Sequence, residues 1–189
     1  MRIVGGKLRN RALVAPKGKS TRPTSDRARE NMFNVIEHAD WCPALDGARV
    51  VDLYAGSGAL GLEALSRGAA FCLFVEMAAE ARGAIRDNID TLQLFGHTRL
   101  HRRDATQLGE KPSNLGEPFN LVFLDPPYGF DLGPKSLTKL LDGKWVTDDA
   151  VAILEVGVGE EPVTPGWHSQ VVKEYGAAKV LFLARTPLV

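Results

Sequence analysis

The sequence predicts an α/β domain, with a doubly wound, mostly parallel seven-stranded sheet behind a small basic N-terminal appendage. From residue 49 onward, apolar runs of strand length alternate with segments of helical periodicity, which is typical of a parallel sheet covered on both faces. Residues 1–30 hold nine basic and two acidic residues (net +7), whereas residues 31–189 hold 14 basic and 21 acidic ones (net −7). We therefore expect a basic hairpin and helix in residues 1–40, forming a polyanion-binding arm, and the main domain in residues 41–189.

The N-terminal unit divides into three pieces. Residues 2–14 predict two short strands joined by a turn at Gly5-Gly6. Glycine and proline between residues 15 and 23 predict a loop. A helix is predicted to begin near Ser25, a good N-cap residue, and to continue to about His38 with its apolar residues on one face.

The main domain continues as alternating strands and helices. The glycine at position 68 marks the end of the first of these helices. Strands are predicted at residues 49–54, 71–76, 99–102, 119–125 and 150–156, and helices at residues 59–67, 78–94 and 136–141. Residues 169–174 and 179–185 predict a closing hairpin that adds an antiparallel strand.

The charge distribution and the apolar segments limit the kinds of partner. The whole chain has zero net charge, yet the positive excess in residues 1–30 is typical of a polyanion-binding arm. A solvated basic segment without a partner explains this charge equally well. The apolar runs are far shorter than the roughly 20 residues of a membrane span, and the first residues do not resemble a secretory signal. We therefore expect a cytoplasmic protein without a membrane partner.

A glycine-rich loop follows the first strand of the main domain. The motif G-x-G-x-x-G begins at Gly56, and glycines there allow a tight turn and a close approach to a ligand above a helix N-terminus. Glu76 ends the next strand, 20 residues after Gly56, where a carboxylate can accept hydrogen bonds from ribose hydroxyls. Asp52 favours S-adenosylmethionine over a dinucleotide, because a carboxylate attracts an ammonium group and repels a pyrophosphate. A structural turn is the alternative.

The second motif is Asp125-Pro126-Pro127-Tyr128, at the end of an apolar strand. Two prolines stop the strand rigidly, so that the carboxylate and nearby carbonyls project from the carboxyl edge of the sheet. Acceptors aimed at the two hydrogens of an exocyclic base amine would orient its lone pair and stabilise the charge that develops during methylation. Tyr128 can stack on an unpaired base. A proline-stopped strand end with a surface tyrosine is the structural alternative.

Four segments resemble one known family. They are residues 2–6 (RIVGG), 22–34 (RPTSDRARENMFN), 52–67 (DLYAGSGALGLEALSR) and 125–128 (DPPY). The glycine loop is common to class I methyltransferases and Asp-Pro-Pro-Tyr to amino-methylases, whereas Arg22-Pro23-Thr24 narrows the choice. Over nearly its whole length the chain is similar to the bacterial 16S ribosomal RNA guanine-N2 methyltransferases of the RsmD group.

The resemblance implies a class I, Rossmann-like fold, with S-adenosylmethionine as cofactor and S-adenosylhomocysteine as product. It also implies methylation of one guanine N2 in 16S rRNA, within the 30S subunit or an assembly intermediate. The cofactor-binding residues would be Asp52, Tyr54, Ala55, Gly56, Ser57, Gly58, Glu76, Met77, Asp104 and Ala105, and the catalytic residues Asp125, Pro126, Pro127 and Tyr128. RNA contacts are expected from Arg9, Arg11, Lys17, Lys19, Arg22, Arg27 and Arg29, with helix-packing ion pairs as the alternative for the last three.

Three other functions stay open at this point. N6-adenine methylation of DNA or RNA uses the same tetrapeptide. An NAD-dependent oxidoreductase would use the same glycine loop, although the sequence offers no convincing acid or base for hydride transfer. A non-catalytic RNA-binding module is the third, and the intact Asp125 argues against it. No metal is expected, because His97 and His101 flank a predicted strand.

Overall fold

The computed structural model describes residues 1–18 and 24–185. This part of the chain contains four α-helices and seven β-strands, which alternate from α1 to β3. The helices are α1 (Asp26–His38), α2 (Ala59–Ser66), α3 (Ala79–Leu92) and α4 (Leu132–Asp142). The strands are β1 (Arg49–Leu53), β2 (Phe71–Val75), β3 (Thr98–His101), β4 (Phe119–Leu124), β5 (Val146–Gly157), β6 (Trp167–Tyr175) and β7 (Ala178–Arg185).

All seven strands form one sheet in the order β3-β2-β1-β4-β5-β7-β6. The first five are parallel to one another, and β7 runs antiparallel to both of its neighbours. Strands β2 and β3 lie on one side of β1, and the later strands β4 to β7 lie on its other side. The topological switch point, where the strand order reverses, is therefore between β1 and β4. This topology confirms the predicted fold. Ligands of open α/β sheets bind beyond the carboxyl ends of the strands at the switch point, so we expect the site beyond Leu53 and Leu124.

Side chains of successive strand residues pack on opposite faces of the sheet. In β1, Val50 joins a core that contains residues of α1, α2 and α3. The next residue, Val51, joins a second core that contains residues of α4 and of the loop between β3 and β4. The sheet is therefore covered on both faces, as the continuous apolar strands predict.

The N-terminal segment packs against the main body. Ile3 and Leu13 belong to the same core as α1 and β1. Glu63 of α2 is fully buried and accepts hydrogen bonds from the backbone N–H groups of Val4 (2.9 Å) and Gly5 (2.8 Å). The buried side chain of Asn88 bonds to both backbone groups of Val14. These contacts fix residues 3–14 on α2 and α3.

Several predicted elements differ from the structure in their extent. The two segments predicted as strands in residues 2–14 do pair antiparallel, through the bridge of Arg2 with Ala12 and the Ile3 N–H bond to the Arg11 carbonyl. They form no extended strands, because the N–H groups of Val4 and Gly5 bind a side chain instead. Helix α4 begins four residues before the predicted start at 136. Strand β5 begins at Val146, four residues before its predicted start at 150. Within residues 1–18 and 24–185, no helix is both long and apolar enough to cross a membrane.

Candidate active site

The loop between β1 and α2 has a tightly turned backbone. Tyr54 (φ 58°), Gly56 (φ 59°) and Gly58 (φ 80°) all adopt left-handed conformations, which glycine accepts readily. A Cβ atom at Gly56 would meet no other atom within 4 Å, whereas one at Gly61 would lie 2.5 Å from the Cys72 Sγ. The first position is therefore open toward a ligand, and the second allows α2 to pack closely on β2.

Asp52 lies at this loop but is almost completely buried, with 2% of its surface exposed. Its Oδ2 accepts a hydrogen bond from the backbone N–H of Gly61 at 3.1 Å. Burial raises the pKa of Asp52 well above its usual range, the Gly61 hydrogen bond opposes this shift, and the charges of Asp125 and Glu76 add to it. The carboxyl group thus positions the first turn of α2, and an ammonium group placed beside it would favour its charged form.

The end of β2 contributes Glu76. Its Oε2 accepts a hydrogen bond from the Gly56 N–H (2.8 Å), and its Oε1 accepts one from the Ala78 N–H (2.9 Å). This carboxylate therefore joins the glycine loop to the start of α3. The neighbouring Met77 is 51% exposed.

The loop after β3 provides the remaining residues predicted to bind the cofactor. Asp104 caps a short helical turn and accepts hydrogen bonds from the N–H and hydroxyl of Thr106. Ala105 is buried in the core on the α4 side of the sheet. The β2–β3 pairing brings this loop to the same sheet edge as Glu76.

The Asp-Pro-Pro-Tyr segment begins directly after β4. Leu124 pairs with Leu53 of β1, so Asp125 emerges beside the glycine loop. Burial, followed by the charge of Glu155, raises the pKa of Asp125 to about 7. Tyr128 is 41% exposed, and its hydroxyl donates a hydrogen bond to Glu155 Oε1 at 2.5 Å.

A cavity of about 290 Å³ lies beside this segment, between the start of α4 and the end of β5. Glu160 closes one side of it by accepting hydrogen bonds from the backbone N–H groups of Gly129 (3.0 Å) and Gly157 (2.5 Å). A Cβ atom at Gly157 would lie 3.3 Å from the Tyr128 ring, so a larger side chain there would displace the ring. The cavity is lined by Pro126, Pro127, Tyr128, Leu132, Glu155 and Glu160, among others.

The predicted RNA-binding residues have different environments. Arg9, Arg11, Lys17 and Arg27 are exposed, while Lys19 and Arg22 lie outside the described residues. For Arg29 the predicted RNA contact is wrong and the alternative, a helix-packing ion pair, is confirmed. Its side chain is 1% exposed, and its guanidinium donates hydrogen bonds to the Arg2 carbonyl (2.7 Å) and to Asp26 (2.8 Å). Arg29 holds α1 against the N-terminal segment instead of facing a ligand.

Sequence reasoning did not identify Glu155 or Glu160. The signal for Glu155 was present, because it is an acid that follows the apolar run Val151–Leu154 in the same way that Asp125 follows β4. Glu160 had no such signal, since its role depends on loop geometry. In the described part of the chain, no group of three or more His, Cys, Asp or Glu side chains is arranged to hold a metal ion.

Comparisons with known proteins agree with this architecture. The family model described as conserved hypothetical protein 95 matches residues 1–184. Ribosomal RNA small subunit methyltransferase D of Escherichia coli (strain K12) is 38% identical over 170 residues, which cover 88% of this chain and 81% of that protein. The corresponding Haemophilus influenzae protein is 30% identical, over 87% of this chain and 83% of its own.

Solved structures show the same fold. The protein yhhF from Escherichia coli superposes with a TM-score of 0.83 at 35% identity, covering 100% of this chain and 99% of that one. A ribosomal protein L11 methylase from Lactobacillus delbrueckii has a TM-score of 0.64 at 15% identity, covering 86% of this chain and 80% of that one, and shares the fold alone. The chain therefore has the class I methyltransferase fold and belongs to the conserved hypothetical protein 95 family, which is the RsmD family.

Proposed function

We propose that this protein transfers a methyl group from S-adenosylmethionine to the exocyclic N2 of a guanine in 16S ribosomal RNA. The observation that carries the proposal is Asp125-Pro126-Pro127-Tyr128 at the end of β4, next to the glycine loop of β1. The relatives named ribosomal RNA small subunit methyltransferase D support the RNA substrate. We place the reaction in the cytoplasm and on the 30S subunit or an assembly intermediate.

The cofactor would lie over the carboxyl ends of β1 and β2. The open space at Gly56 and the half-buried carboxylate of Glu76 fit a nucleoside whose ribose hydroxyls donate to Glu76. An ammonium group beside Asp52 would offset the unfavourable burial of that carboxylate. The proposed binding residues are Asp52, Tyr54, Ala55, Gly56, Ser57, Gly58, Glu76, Met77, Asp104 and Ala105.

The bound cofactor would supply a methyl group on a positively charged sulfur, and residues at the end of β4 would prepare the acceptor. An exocyclic amine is conjugated with its ring, which makes it a poor nucleophile. Asp125 and the carbonyl of Pro126 would accept its two hydrogens and thereby direct its lone pair at the methyl carbon. Positive charge then develops on the nitrogen, where the Asp125 carboxylate would stabilise it and would accept the proton after the methyl group has been transferred.

The rest of the acceptor site would hold the base. Tyr128, partly exposed at the cavity rim, can stack on a guanine that is unpaired or flipped from its helix. Pro127 fixes the backbone that presents the ring. The exposed basic side chains of residues 1–40 would then contact phosphates of the surrounding RNA and form the RNA-binding arm.

Labelled S-adenosylmethionine tests the proposal. The protein is incubated with undermethylated 30S subunits, naked 16S rRNA and DNA, and the products are digested to nucleosides. We expect label in N2-methylguanosine, from the 30S sample above the others. Label in N6-methyladenosine would replace guanine with adenine as the substrate.

Asp125→Ala is the matched variant in this assay. Its activity should be lost while its affinity for S-adenosylhomocysteine stays near that of the wild type. Wild-type activity in Asp125→Ala would indicate that catalysis does not use this motif. Calorimetric titration with NADH and S-adenosylhomocysteine completes the test, because binding of NADH alone would indicate an oxidoreductase.

A further inference from the structure

We propose that Glu155 makes the acceptor site selective for guanine by accepting a hydrogen bond from the guanine N1–H, beside the amino group that Asp125 receives. This inference rests on the proposed function, since it concerns the base in the same site. It supplies the choice between guanine and adenine, which the Asp-Pro-Pro-Tyr motif leaves open.

Glu155 and Asp125 occupy equivalent positions on neighbouring parallel strands. Leu124 of β4 pairs with Leu154 of β5, and Asp125 and Glu155 are the residues that follow them in the chain. Neighbouring strands lie about 4.8 Å apart, so the two side chains share the carboxyl edge of the sheet. Glu155 lines the cavity beside Tyr128 and raises the pKa of Asp125, which agrees with their closeness.

The carboxylate of Glu155 is oriented and still has acceptor capacity. Its Oε1 accepts the Tyr128 hydroxyl at 2.5 Å, and its Oε2 accepts the Thr24 hydroxyl at 3.4 Å. An ionised carboxylate has about four lone-pair positions, so two hydrogen bonds leave room for further donors. Because Tyr128 would stack on the base, its bond to Glu155 also fixes the carboxylate relative to the bound ring.

The Watson–Crick edge of guanine matches two neighbouring acceptors. Guanine presents N1–H next to N2–H₂, so that Asp125 and Glu155 could each accept a hydrogen. Adenine presents its N6–H₂ next to N1, which is an acceptor. With adenine in the site, the lone pair of N1 would face a carboxylate. A site that accepts a hydrogen bond from the substrate rejects a base that lacks the donor.

A purely structural role for Glu155 is the competing explanation. In that case the residue holds Tyr128 in place, and replacing it lowers the reaction rate with every base to the same extent. The relative rate with two bases separates the explanations, because a general loss of structure does not change that ratio.

The substrates for the test differ at one nucleotide. The methylated position is first mapped by digestion of the wild-type product, and 16S rRNA is then assembled by ligation with guanine or 2-aminopurine at that position. The analogue 2-aminopurine keeps the 2-amino group but has a lone pair at N1 in place of N1–H. Rates with both RNAs are measured for the wild type, for Glu155→Gln and for the control Glu174→Gln on edge strand β6.

We expect the wild type and Glu174→Gln to favour guanine in kcat/KM by at least about tenfold. The amide of Glu155→Gln can donate to N1 of 2-aminopurine, so its preference should fall to within about threefold. An unchanged preference in this variant, an equal loss with both bases, or a wild type that does not discriminate would each overturn the proposal. The affinity for S-adenosylhomocysteine checks that each variant folds. If Glu155→Gln does not fold, Glu155→Ser takes its place and should also lose the preference for guanine.

The two proposals fail in different ways. If the wild type yields no N2-methylguanosine, the proposed function is wrong. If N2-methylguanosine forms and the base preference does not depend on residue 155, the role of Glu155 alone is wrong.

Discussion

Replacing Glu63 tests whether the N-terminal segment is fixed to the domain by one buried carboxylate. Glu63 is fully buried in α2. It accepts hydrogen bonds from the backbone N–H groups of Val4 at 2.9 Å and Gly5 at 2.8 Å, and it pairs with the Arg67 guanidinium at 2.9 Å. Glu63→Gln keeps the size of the side chain but removes its charge and turns one acceptor into a donor.

The magnitude follows from these three contacts. A hydrogen bond to a charged group contributes about 1.5–3 kcal/mol, and breaking a buried ion pair by removing one partner costs about 3–5 kcal/mol. The contacts share one carboxylate, so their energies do not add. We therefore expect the free energy of unfolding to fall by about 3–5 kcal/mol in Glu63→Gln and in Glu63→Ala.

The matched control is Glu37→Gln, because Glu37 pairs with the same arginine at 3.2 Å and its side chain is 32% exposed. A partly exposed pair contributes less than about 1 kcal/mol. Urea unfolding followed by circular dichroism gives both values, provided that the slope against denaturant stays that of the wild type. A loss below about 1 kcal/mol in Glu63→Gln, or one equal to that of Glu37→Gln, would refute the anchoring role.

Four further predictions concern the site, the arm and the packing of α2. The rate of single-turnover methylation should decline as the pH falls through about 7, because protonated Asp125 carries no charge to stabilise the reacting amine. Glu155→Gln should move the midpoint to lower pH by removing a neighbouring charge, and a flat pH profile would contradict this. Tyr128→Ala should raise the KM for RNA by about 5- to 150-fold through the loss of about 1–3 kcal/mol of stacking. Tyr128→Phe keeps the aromatic ring, so its KM for RNA should stay close to that of the wild type. A variant with alanine at four basic positions of the arm should bind RNA with a weaker salt dependence; these positions are Arg9, Arg11, Lys17 and Lys19. The slope of log K against log salt concentration should fall by up to about 3, while the control Lys173→Ala on β6 keeps the wild-type slope; equal slopes in both variants would mean that the arm does not contact phosphates. Gly61→Ala should lower the free energy of unfolding by about 1–3 kcal/mol by overpacking against Cys72 and Phe74, whereas Gly83→Ala, whose Cβ would meet no atom within 4 Å, should raise it by up to about 1 kcal/mol. Thermal unfolding measures both, and a Gly61→Ala variant that is more stable than Gly83→Ala would contradict the packing argument.

The centre of the sheet could be predicted because strands β1, β2 and β4 are buried on both faces and are each followed by a helical segment. The start of α4 could not, since Asp131-Leu132-Gly133-Pro134 has the composition of a turn. A proline fits there because the first turn of a helix leaves its N–H groups unbonded. The start of β5 contains polar residues, and its pairing with β4 shifts register between Phe119 and Leu121, which no local pattern indicates.

The N-terminal residues show where reasoning from local pattern ends. The pattern predicts Val4 in a strand and Gly5 in a turn, whereas the N–H groups of both bond to a carboxylate that is 59 and 58 residues away in the chain. Arg29 could have been placed correctly, because its spacing from Met32, Phe33 and Ile36 puts it on the buried face of α1. Its positive charge predicts a surface position, whereas its helical spacing indicates the interior.

Asn88 connects two parts of the molecule that the proposed reaction uses for different purposes. Its Nδ2 donates hydrogen bonds to the carbonyls of both Val14, at the end of the fixed N-terminal segment, and Ser57, in the glycine loop, at 3.0 Å each. A shift of the segment at Val14 therefore changes the hydrogen bonding of the loop. If RNA binding selects one position of the segment, thermodynamic linkage requires that RNA and cofactor change each other's affinity by the same factor. Loading of the enzyme and docking of its substrate would then be one coupled equilibrium.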